Sequence, residues 1–199
     1  QRQMCIRDRG GGPAGMFAAI AAAETGSQVI LLEKNEKLGK KLFITGKGRC
    51  NITNAGDMDN LFANVMTNAK FLYSAFYSYD NQRVIDFFER NGLRTKTERG
   101  NRVFPVSDHS SDVIATLQKV LKEKKVKVML HTQVQSLLME SSGEDAPENI
   151  VTGVKLTDGT TMPADAVIIA TGGFSYQTTG STGAVSYTHL RAHETRRHL

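Results

Sequence analysis

The apolar positions of this chain alternate between helical and strand spacing. The alanine-rich stretch over residues 13–25 predicts a helix, because Pro13 suits a first helical turn and Gly26 suits the position after the last one. Residues 28–33, QVILLE, have the length and apolar content of a buried parallel strand. Residues 34–56 then predict a polar, glycine-bearing connection with one helical turn.

The rest of the chain predicts further helices and then a run of strands. Helices are expected over residues 57–79, 80–91 and 112–124, the last with Ser110 or Ser111 as its N-cap. A hairpin is expected over 94–104, and strands over 127–130, 133–139, 150–157, 160–162 and 165–170. This order predicts an α/β nucleotide-binding domain with an inserted β-meander.

The two ends of the chain depart from this pattern. Residues 1–9 and 184–199 show neither a helical nor a strand period, and both resemble translated sequencing-adapter sequence. A pair of ordinary basic tails is the alternative. We therefore expect residues 10–183 to be the native part and leave the ends out of the predicted fold.

Charge changes the picture once its distribution is considered. The net charge is +5, but each end contributes +2 and residues 10–183 only +1. A nearly neutral body lacks the clustered basic face that a phosphate backbone requires, so we expect no nucleic-acid partner. Two cysteines, no signal-peptide pattern and no apolar run of about 18 residues predict a cytoplasmic protein without a membrane partner.

The candidate chemistry begins at a glycine-rich turn before the first helix. Gly10, Gly12 and Gly15 lie in the sequence GGGPAG, which fits the spacing G-x-G-x-x-G. In that motif the first glycine allows a tight turn, the second lets the backbone approach a pyrophosphate, and the third lets the helix pack closely. The helix N-terminus then directs N–H groups at the anion. An ordinary glycine-rich turn before a helix is the alternative.

A carboxylate follows at the end of the next predicted strand. Glu33 lies 18 residues after Gly15, where a carboxylate accepts hydrogen bonds from an adenosine ribose. Since it would repel a 2′-phosphate, the bound dinucleotide should have a free ribose. A solvated charge at a strand end is the alternative.

Two later segments add to this interpretation. Residues 45–51, TGKGRCN, place glycines beside a lysine and Arg49, which are donors for a phosphate or a flavin ring edge; a mobile surface loop is the alternative. We expect Cys50 to be a small buried apolar residue rather than a redox thiol. Residues 166–173, AVIIATGG, predict an apolar strand and a small-residue turn against which a cofactor can lie.

Taken together, these motifs carry a family resemblance. The chain contains, in order over residues 10–183, GGGPAG, VILLEKNEKLGKK, GKGRCNITN, RVFPVSD and VIIATGGFSYQTTGSTG. They resemble the BaiN/RdsA-type NAD(P)/FAD-dependent oxidoreductases, also described as aminoacetone-oxidase-family FAD-binding enzymes. The resemblance implies a Rossmann-like FAD-binding domain of the two-dinucleotide-binding flavoprotein type, interrupted by a substrate-side insertion. It also implies that NAD(P)H reduces FAD and that FAD reduces an unsaturated or carbonyl-bearing small molecule.

The resemblance further implies the cofactor-binding residues. They are Gly10, Gly12, Pro13, Ala14, Gly15, Glu33, Lys34, Arg49, Cys50, Asn51, Val134, Thr171, Gly172 and Gly173. Residues 12–15 would contact the pyrophosphate, Glu33 the ribose, residues 49–51 the flavin, the backbone of Val134 the adenine, and residues 171–173 the second FAD-contacting turn. We assign no metal site and no catalytic acid or base, because His109 and His131 are isolated in the sequence.

The chain also departs from the family pattern. An apolar strand is expected before GGGPAG, where Asp8 and Arg9 stand, and after GSTG the family continues through a further half of about equal length. The sequence therefore predicts a fragment truncated at both ends, without the first strand of the sheet. An NAD-dependent dehydrogenase and a non-catalytic nucleotide-binding module or inert fragment are the alternatives.

Overall fold

The structure is a computed structural model that describes residues 3–7, 10–141 and 149–173 of the 199. The chain divides into two compact units. The first comprises residues 1–41 and 119–199, and the second comprises residues 42–118.

The described residues contain ten strands and six α-helices. The strands are β1 (Gln3–Arg7), β2 (Gln28–Leu32), β3 (Thr53–Asn54), β4 (Thr95–Glu98), β5 (Arg102–Pro105), β6 (Lys127–Met129), β7 (Val134–Ser141), β8 (Asn149–Leu156), β9 (Thr161–Pro163) and β10 (Ala166–Ile169). The α-helices are α1 (Pro13–Glu24), α2 (Lys40–Ile44), α3 (Met58–Ala63), α4 (Tyr73–Ser78), α5 (Asn81–Arg90) and α6 (Ser110–Glu123). Two 3₁₀ turns cover Thr45–Gly48 and Ala69–Leu72.

A parallel four-stranded sheet forms the centre of the first unit. Its strand order is β10-β1-β2-β6, and every neighbouring pair is parallel. The carboxyl ends of parallel strands lie at one edge of a sheet, so the segments that follow β1, β2 and β10 meet there. These are the glycine-rich turn, Glu33 and Thr171. The predicted α/β class is confirmed.

The position of β1 corrects the prediction for the N-terminal residues. The sequence pattern left residues 1–9 out of the fold, but Met4 pairs with Val29 on one side and with Ala166 on the other. Ladder hydrogen bonds join main-chain groups, so a segment can pair in a sheet without an alternating or wholly apolar side-chain pattern. The prediction that the chain lacks the sheet's first strand is therefore wrong, whereas the foreign origin of residues 1–9 stays a prediction.

The strand β2 is buried on both faces, as its apolar run predicts. Ile30 and Leu32 pack in one cluster with Val134, Val154 and Leu156 of the neighbouring meander. Helix α1 contacts the same strand. The meander itself is the antiparallel sheet β7-β8-β9, which confirms the predicted β-meander.

The second unit contains an antiparallel sheet of order β3-β5-β4, which includes the predicted hairpin. The helix predicted over residues 57–79 is wrong as a single element, because α3 ends at Ala63 and α4 begins at Tyr73. Asn68 between them adopts a left-handed conformation with φ of 51°, which a continuous helix excludes. Asp80 caps α5 by accepting a hydrogen bond of 2.7 Å from the Arg83 N–H.

The start of α6 also differs from the prediction. Ser110 is the first residue of α6, and its hydroxyl donates to the Phe43 carbonyl at 2.8 Å instead of capping the helix. In the part of the chain that the structure describes, no helix combines the length and apolar character needed to cross a membrane. Within the same residues, no group of three or more His, Cys, Asp or Glu side chains is arranged to hold a metal ion.

Candidate dinucleotide site

The glycine-rich turn joins β1 to α1 by a close backbone approach. The Gly10 N–H donates to the Leu32 carbonyl at 3.2 Å, so the turn begins beside the end of β2. A Cβ on Gly15 would lie 1.9 Å from the Gly10 carbonyl oxygen, a distance that no side chain can occupy. The first turn of α1 therefore lies directly against the backbone of the turn, and only glycine fits at position 15.

The N-terminus of α1 is open. Gly12 is the N-cap with extended backbone, and as a glycine it has no side chain that could cap the helix. A Cβ on Gly12 would meet no atom within 4 Å, and the next two residues, Pro13 and Ala14, are exposed. The first N–H groups of a helix lack intrahelical partners and carry a partial positive charge, so this opening suits an anion such as a diphosphate.

Glu33 connects the end of β2 to the glycine turn. Its side chain is buried, with 3% of its surface exposed. One carboxylate oxygen, Oε2, accepts the Gly11 N–H at 3.0 Å, and the other, Oε1, accepts two N–H donors from Asn35 at 2.8 and 2.7 Å. These three hydrogen bonds compensate for the burial of the carboxylate. A solvated charge at the strand end, the alternative interpretation of Glu33, does not fit this environment.

The sequence analysis missed Gly11, which the motif G-x-G-x-x-G leaves variable. A Cβ on Gly11 would lie 2.6 Å from Glu33 Oε2 and 2.7 Å from the Leu38 Cδ2 atom. A larger residue at this position would therefore displace the Glu33 carboxylate or the Leu38 side chain, and glycine leaves room for both. The available sequence signal was the run of three consecutive glycines at 10–12.

Asn35 is the second residue that the sequence analysis missed. Besides its two hydrogen bonds to Glu33, its carbonyl accepts the His131 N–H at 3.2 Å. The Thr132 N–H donates to the Glu33 carbonyl at 2.9 Å, so the segment after β2 is also held by the segment after β6. Nothing in the spacing of the sequence indicated this residue, because its role depends on a hydrogen bond between two side chains.

The remaining predicted residues of the first unit follow the sheet and the start of the meander. Val134 begins β7 and is buried, and Lys34 is half-buried directly after Glu33. Thr171 follows β10 with 5% of its surface exposed, and within the described residues its hydroxyl has no hydrogen-bond partner. Gly172, with φ of 74°, and Gly173 are both exposed.

Arg49 lies in the second unit, inside a network of charges. Its guanidinium donates to Glu98 Oε2 at 2.7 Å, lies 3.0 Å from Asp108 Oδ1, and stacks 4.0 Å from the centre of the Phe104 ring. The hydrogen bond with Glu98 raises the pKa of Arg49, and the same contact lowers the pKa of Glu98. Lys96 donates to Asp108 at 2.6 Å, which lowers the pKa of Asp108. The Arg49 guanidinium is thus engaged by carboxylates of its own unit.

Cys50 and Asn51 close the loop that follows Arg49. Cys50 is fully buried, and burial raises the pKa of its thiol, so the predicted buried role is confirmed. The Asn51 side-chain amide, oriented with its nitrogen toward the sheet, donates to the Thr53 carbonyl at 3.0 Å and to the Val103 carbonyl at 3.3 Å. The Cys50 N–H donates to the Thr45 carbonyl at 3.0 Å, so both residues anchor the loop, and their contact with a flavin stays a prediction.

Comparisons with known proteins identify the family. Residues 9–195 match the family described as HI0933-like protein Rossmann domain. The chain belongs to this family. The resemblance inferred from the sequence motifs is therefore confirmed.

Two curated HI0933-like relatives show how much of a longer protein the chain covers. A 3-dehydro-bile acid delta(4,6)-reductase of Clostridium scindens is 34% identical over 177 residues, which are 88% of this chain and 40% of the relative. A ribosomal RNA dihydrouridine synthase of Escherichia coli is 26% identical over 173 residues, 87% of this chain and 40% of the relative. The chain thus spans less than half the length of these relatives.

Solved structures share the HI0933-like fold at low sequence identity. A 3-ketosteroid delta1-dehydrogenase from Sterolibacterium denitrificans has a TM-score of 0.63 at 17% identity, covering 87% of this chain and 48% of its own. Thermovibrio ammonificans THI4 has a TM-score of 0.62 at 12% identity, and the match covers 97% of this chain and 62% of THI4. The chain has the Rossmann-type fold of FAD-binding domains.

The first-unit residues of this HI0933-like chain fit such a cofactor. The open N-terminus of α1 can take the diphosphate, and the carboxylate of Glu33 beside the turn can take a ribose hydroxyl. The buried hydroxyl of Thr171, which has no partner among the described residues, is available for a further polar contact at the same edge of the sheet.

Proposed function

We propose that this chain is the FAD-binding part of a flavin-dependent oxidoreductase. The observation that carries the proposal is the contact between Glu33 and Gly11. It places a buried carboxylate against the same turn that opens the anion-binding end of α1. A carboxylate in that place has a purpose if the ligand carries an adenosine ribose, which FAD has and FMN lacks.

Different residues of the first unit would contact different parts of the cofactor. The backbone of residues 12–15 binds the pyrophosphate, because helix N–H groups and the helix dipole stabilise negative charge there. Glu33 binds the ribose, and the backbone of Val134 faces the adenine. Thr171 supplies a hydroxyl to the part of the cofactor that lies over the carboxyl end of β10. When bound, FAD supplies a ring that accepts and donates hydride; the chain holds it in position.

The electron donor and the substrate class are a further part of the proposal. We propose NAD(P)H as the donor and an unsaturated, carbonyl-bearing small molecule as the acceptor. The support for the acceptor is the 34% identity to a relative named 3-dehydro-bile acid delta(4,6)-reductase, and the donor is proposed from the resemblance of the sequence motifs. An NAD-dependent dehydrogenase is the second candidate. The turn after β10 favours FAD, because a dehydrogenase that binds a single nicotinamide dinucleotide has no need of a second cofactor turn so far along the chain.

We also propose a cytoplasmic protein with a small-molecule substrate and no nucleic-acid partner. Lysines are frequent at the end of α6, but Lys124 pairs with Glu24 at 2.9 Å and Lys119 with Glu123 at 3.9 Å. These carboxylates reduce the charge that the lysines offer to a phosphate backbone.

The identity of the bound flavin tests the proposal. The chain, expressed and purified without added cofactor, should absorb near the flavin maxima, and the flavin released by heating should run as FAD in chromatography. FMN as the released flavin would contradict the role of Glu33. A purified chain that contains no flavin and binds NAD more tightly than added FAD would favour the dehydrogenase.

A further inference from the structure

We infer that Asn35 is a specificity residue: by filling one oxygen of the Glu33 carboxylate, it limits the site to a single ribose hydroxyl. This inference rests on the proposed function, in which an adenosine ribose lies at Glu33. It concerns a residue two positions beyond the carboxylate, which would act through Glu33 without touching the cofactor itself.

The Glu33 carboxylate already makes three hydrogen bonds within the chain. An ionised carboxylate has about four acceptor positions, two on each oxygen. Oε1 accepts both the backbone N–H and the side-chain amide of Asn35, at 2.8 and 2.7 Å, so both of its positions are taken. Within the described residues, Oε2 accepts the Gly11 N–H alone, at 3.0 Å. One acceptor position therefore remains, on the oxygen that faces the glycine turn.

The carboxylate cannot rotate to offer its other oxygen. It is 97% buried, and it is held from two sides, by the glycine turn and by Asn35. Asn35 is itself fixed, because its carbonyl accepts the His131 N–H at 3.2 Å. The hydrogen bond between the Thr132 N–H and the Glu33 carbonyl, at 2.9 Å, holds the same segment at its other end.

A ribose offers two neighbouring hydroxyls, and a fully free carboxylate would accept both. With Oε1 filled, Glu33 accepts one of them through Oε2, and the other gains nothing from this carboxylate. Loss of the accepted hydroxyl leaves a buried charged acceptor without its donor, which weakens binding about tenfold to a hundredfold. Loss of the other hydroxyl should change the affinity by less than about threefold.

The experiment measures the affinity of the flavin-free 199-residue chain for ADP, 2′-deoxy-ADP and 3′-deoxy-ADP by calorimetric titration. These probes keep the adenosine and the diphosphate and differ in one hydroxyl each. We expect one deoxy compound to bind at least about tenfold more weakly than ADP and the other to bind nearly as well. Equal losses with both would show that the carboxylate takes both hydroxyls and would overturn the inference without any variant.

Two variants separate the role of Asn35 from a general structural role. In Asn35→Ala, which keeps the backbone N–H but frees an acceptor position on Oε1, the gap between the two deoxy compounds should shrink to within about threefold. Asn35→Ser, whose hydroxyl can donate to the same oxygen, should restore part of the gap. Asn64→Ala is the matched control, since Asn64 is exposed and bonds only within its own helical turn, to the Asn60 carbonyl. An undiminished gap in Asn35→Ala would contradict the assignment.

Failure of the proposed function gives a different result. If Glu33→Gln binds all three compounds as the unmodified chain does, no ribose lies at Glu33 and the proposed function loses its support. If Glu33→Gln weakens ADP but Asn35→Ala leaves the selectivity intact, only the inference about Asn35 is wrong.

Discussion

Adding one methyl group at Gly11 or at Gly12 should have different consequences for stability, although the two residues are neighbours. Neither has a positive φ, so alanine is compatible with the backbone at both positions. At Gly11 the new Cβ would lie 2.6 Å from Glu33 Oε2 and 2.7 Å from the Leu38 side chain. At Gly12 it would meet nothing within 4 Å. The two alanine variants therefore distinguish an effect on the stability of the site from an effect on ligand binding.

The expected magnitudes follow from these distances. Gly11→Ala overpacks a buried site and displaces the carboxylate from its donor, which should lower the free energy of unfolding by about 1–3 kcal/mol. For a chain of this size that lowers Tm by about 3–10 °C. Gly12→Ala should change Tm much less, because its Cβ meets no atom and the restriction of the unfolded chain offsets the poorer N-cap that alanine makes. Its methyl group fills the opening at the α1 N-terminus, so ADP binding should weaken about tenfold or more.

Thermal unfolding of the flavin-free chain and titration with ADP provide both readouts. The reasoning predicts that Gly11→Ala lowers Tm and weakens binding together, whereas Gly12→Ala weakens binding alone. Equal Tm values for Gly11→Ala and the unmodified chain would refute the close approach of Glu33 to the turn. Unchanged ADP affinity in Gly12→Ala would refute the placement of the diphosphate.

Three further predictions concern charge and cysteine chemistry. The Arg49 contact lowers the pKa of Glu98 in the folded chain, so the ionised Glu98 stabilises the fold above a pH of about 4, and this stabilisation is lost as the pH falls through the lowered pKa. The difference in Tm between the unmodified chain and Glu98→Gln should therefore shrink between about pH 6 and pH 3. A difference that stays constant would contradict this prediction. Cys50 is buried and its thiol pKa is raised, so it should react with a thiol reagent only as fast as the chain opens. The rate of labelling is measured in a Cys5→Ser background, and prompt labelling under native conditions would show that the thiol is accessible. Residues 1–183, which keep β1, should show no salt-sensitive RNA binding in a filter assay, and retained binding would indicate a basic face that the small net charge of this part conceals.

The sequence predicted most of the first unit because its apolar runs are long and its turns carry glycine. The helix α1, the buried strand β2 and the meander all follow from such patterns. The strand β1 does not, since its pairing depends on main-chain hydrogen bonds with β2 and β10, which lie far away in the sequence. The break between α3 and α4 depends on the left-handed backbone at Asn68, which an apolar periodicity cannot reveal.

The candidate site was predictable to a similar extent. Motif spacing locates Gly12, Gly15 and Glu33, because those roles depend on backbone geometry that recurs at fixed intervals. The roles of Gly11 and Asn35 arise from atoms that meet across the site, at 2.6 Å for a Cβ on Gly11 and 2.7 Å for the Asn35 amide. The partners of Arg49 come from β4 and from the segment before α6, and no local pattern connects them.

The affinity of the flavin-free chain for FAD, with and without the Glu33 carboxylate, tests the central claim most directly. Glu33→Gln keeps the size of the side chain and removes the charge that would accept the ribose hydroxyl. Flavin fluorescence quenching should show binding weakened about tenfold to a hundredfold. The matched control, Glu123→Gln, changes an exposed carboxylate that lies 3.9 Å from Lys119 and should bind as the unmodified chain does. An unchanged affinity in Glu33→Gln would contradict the account.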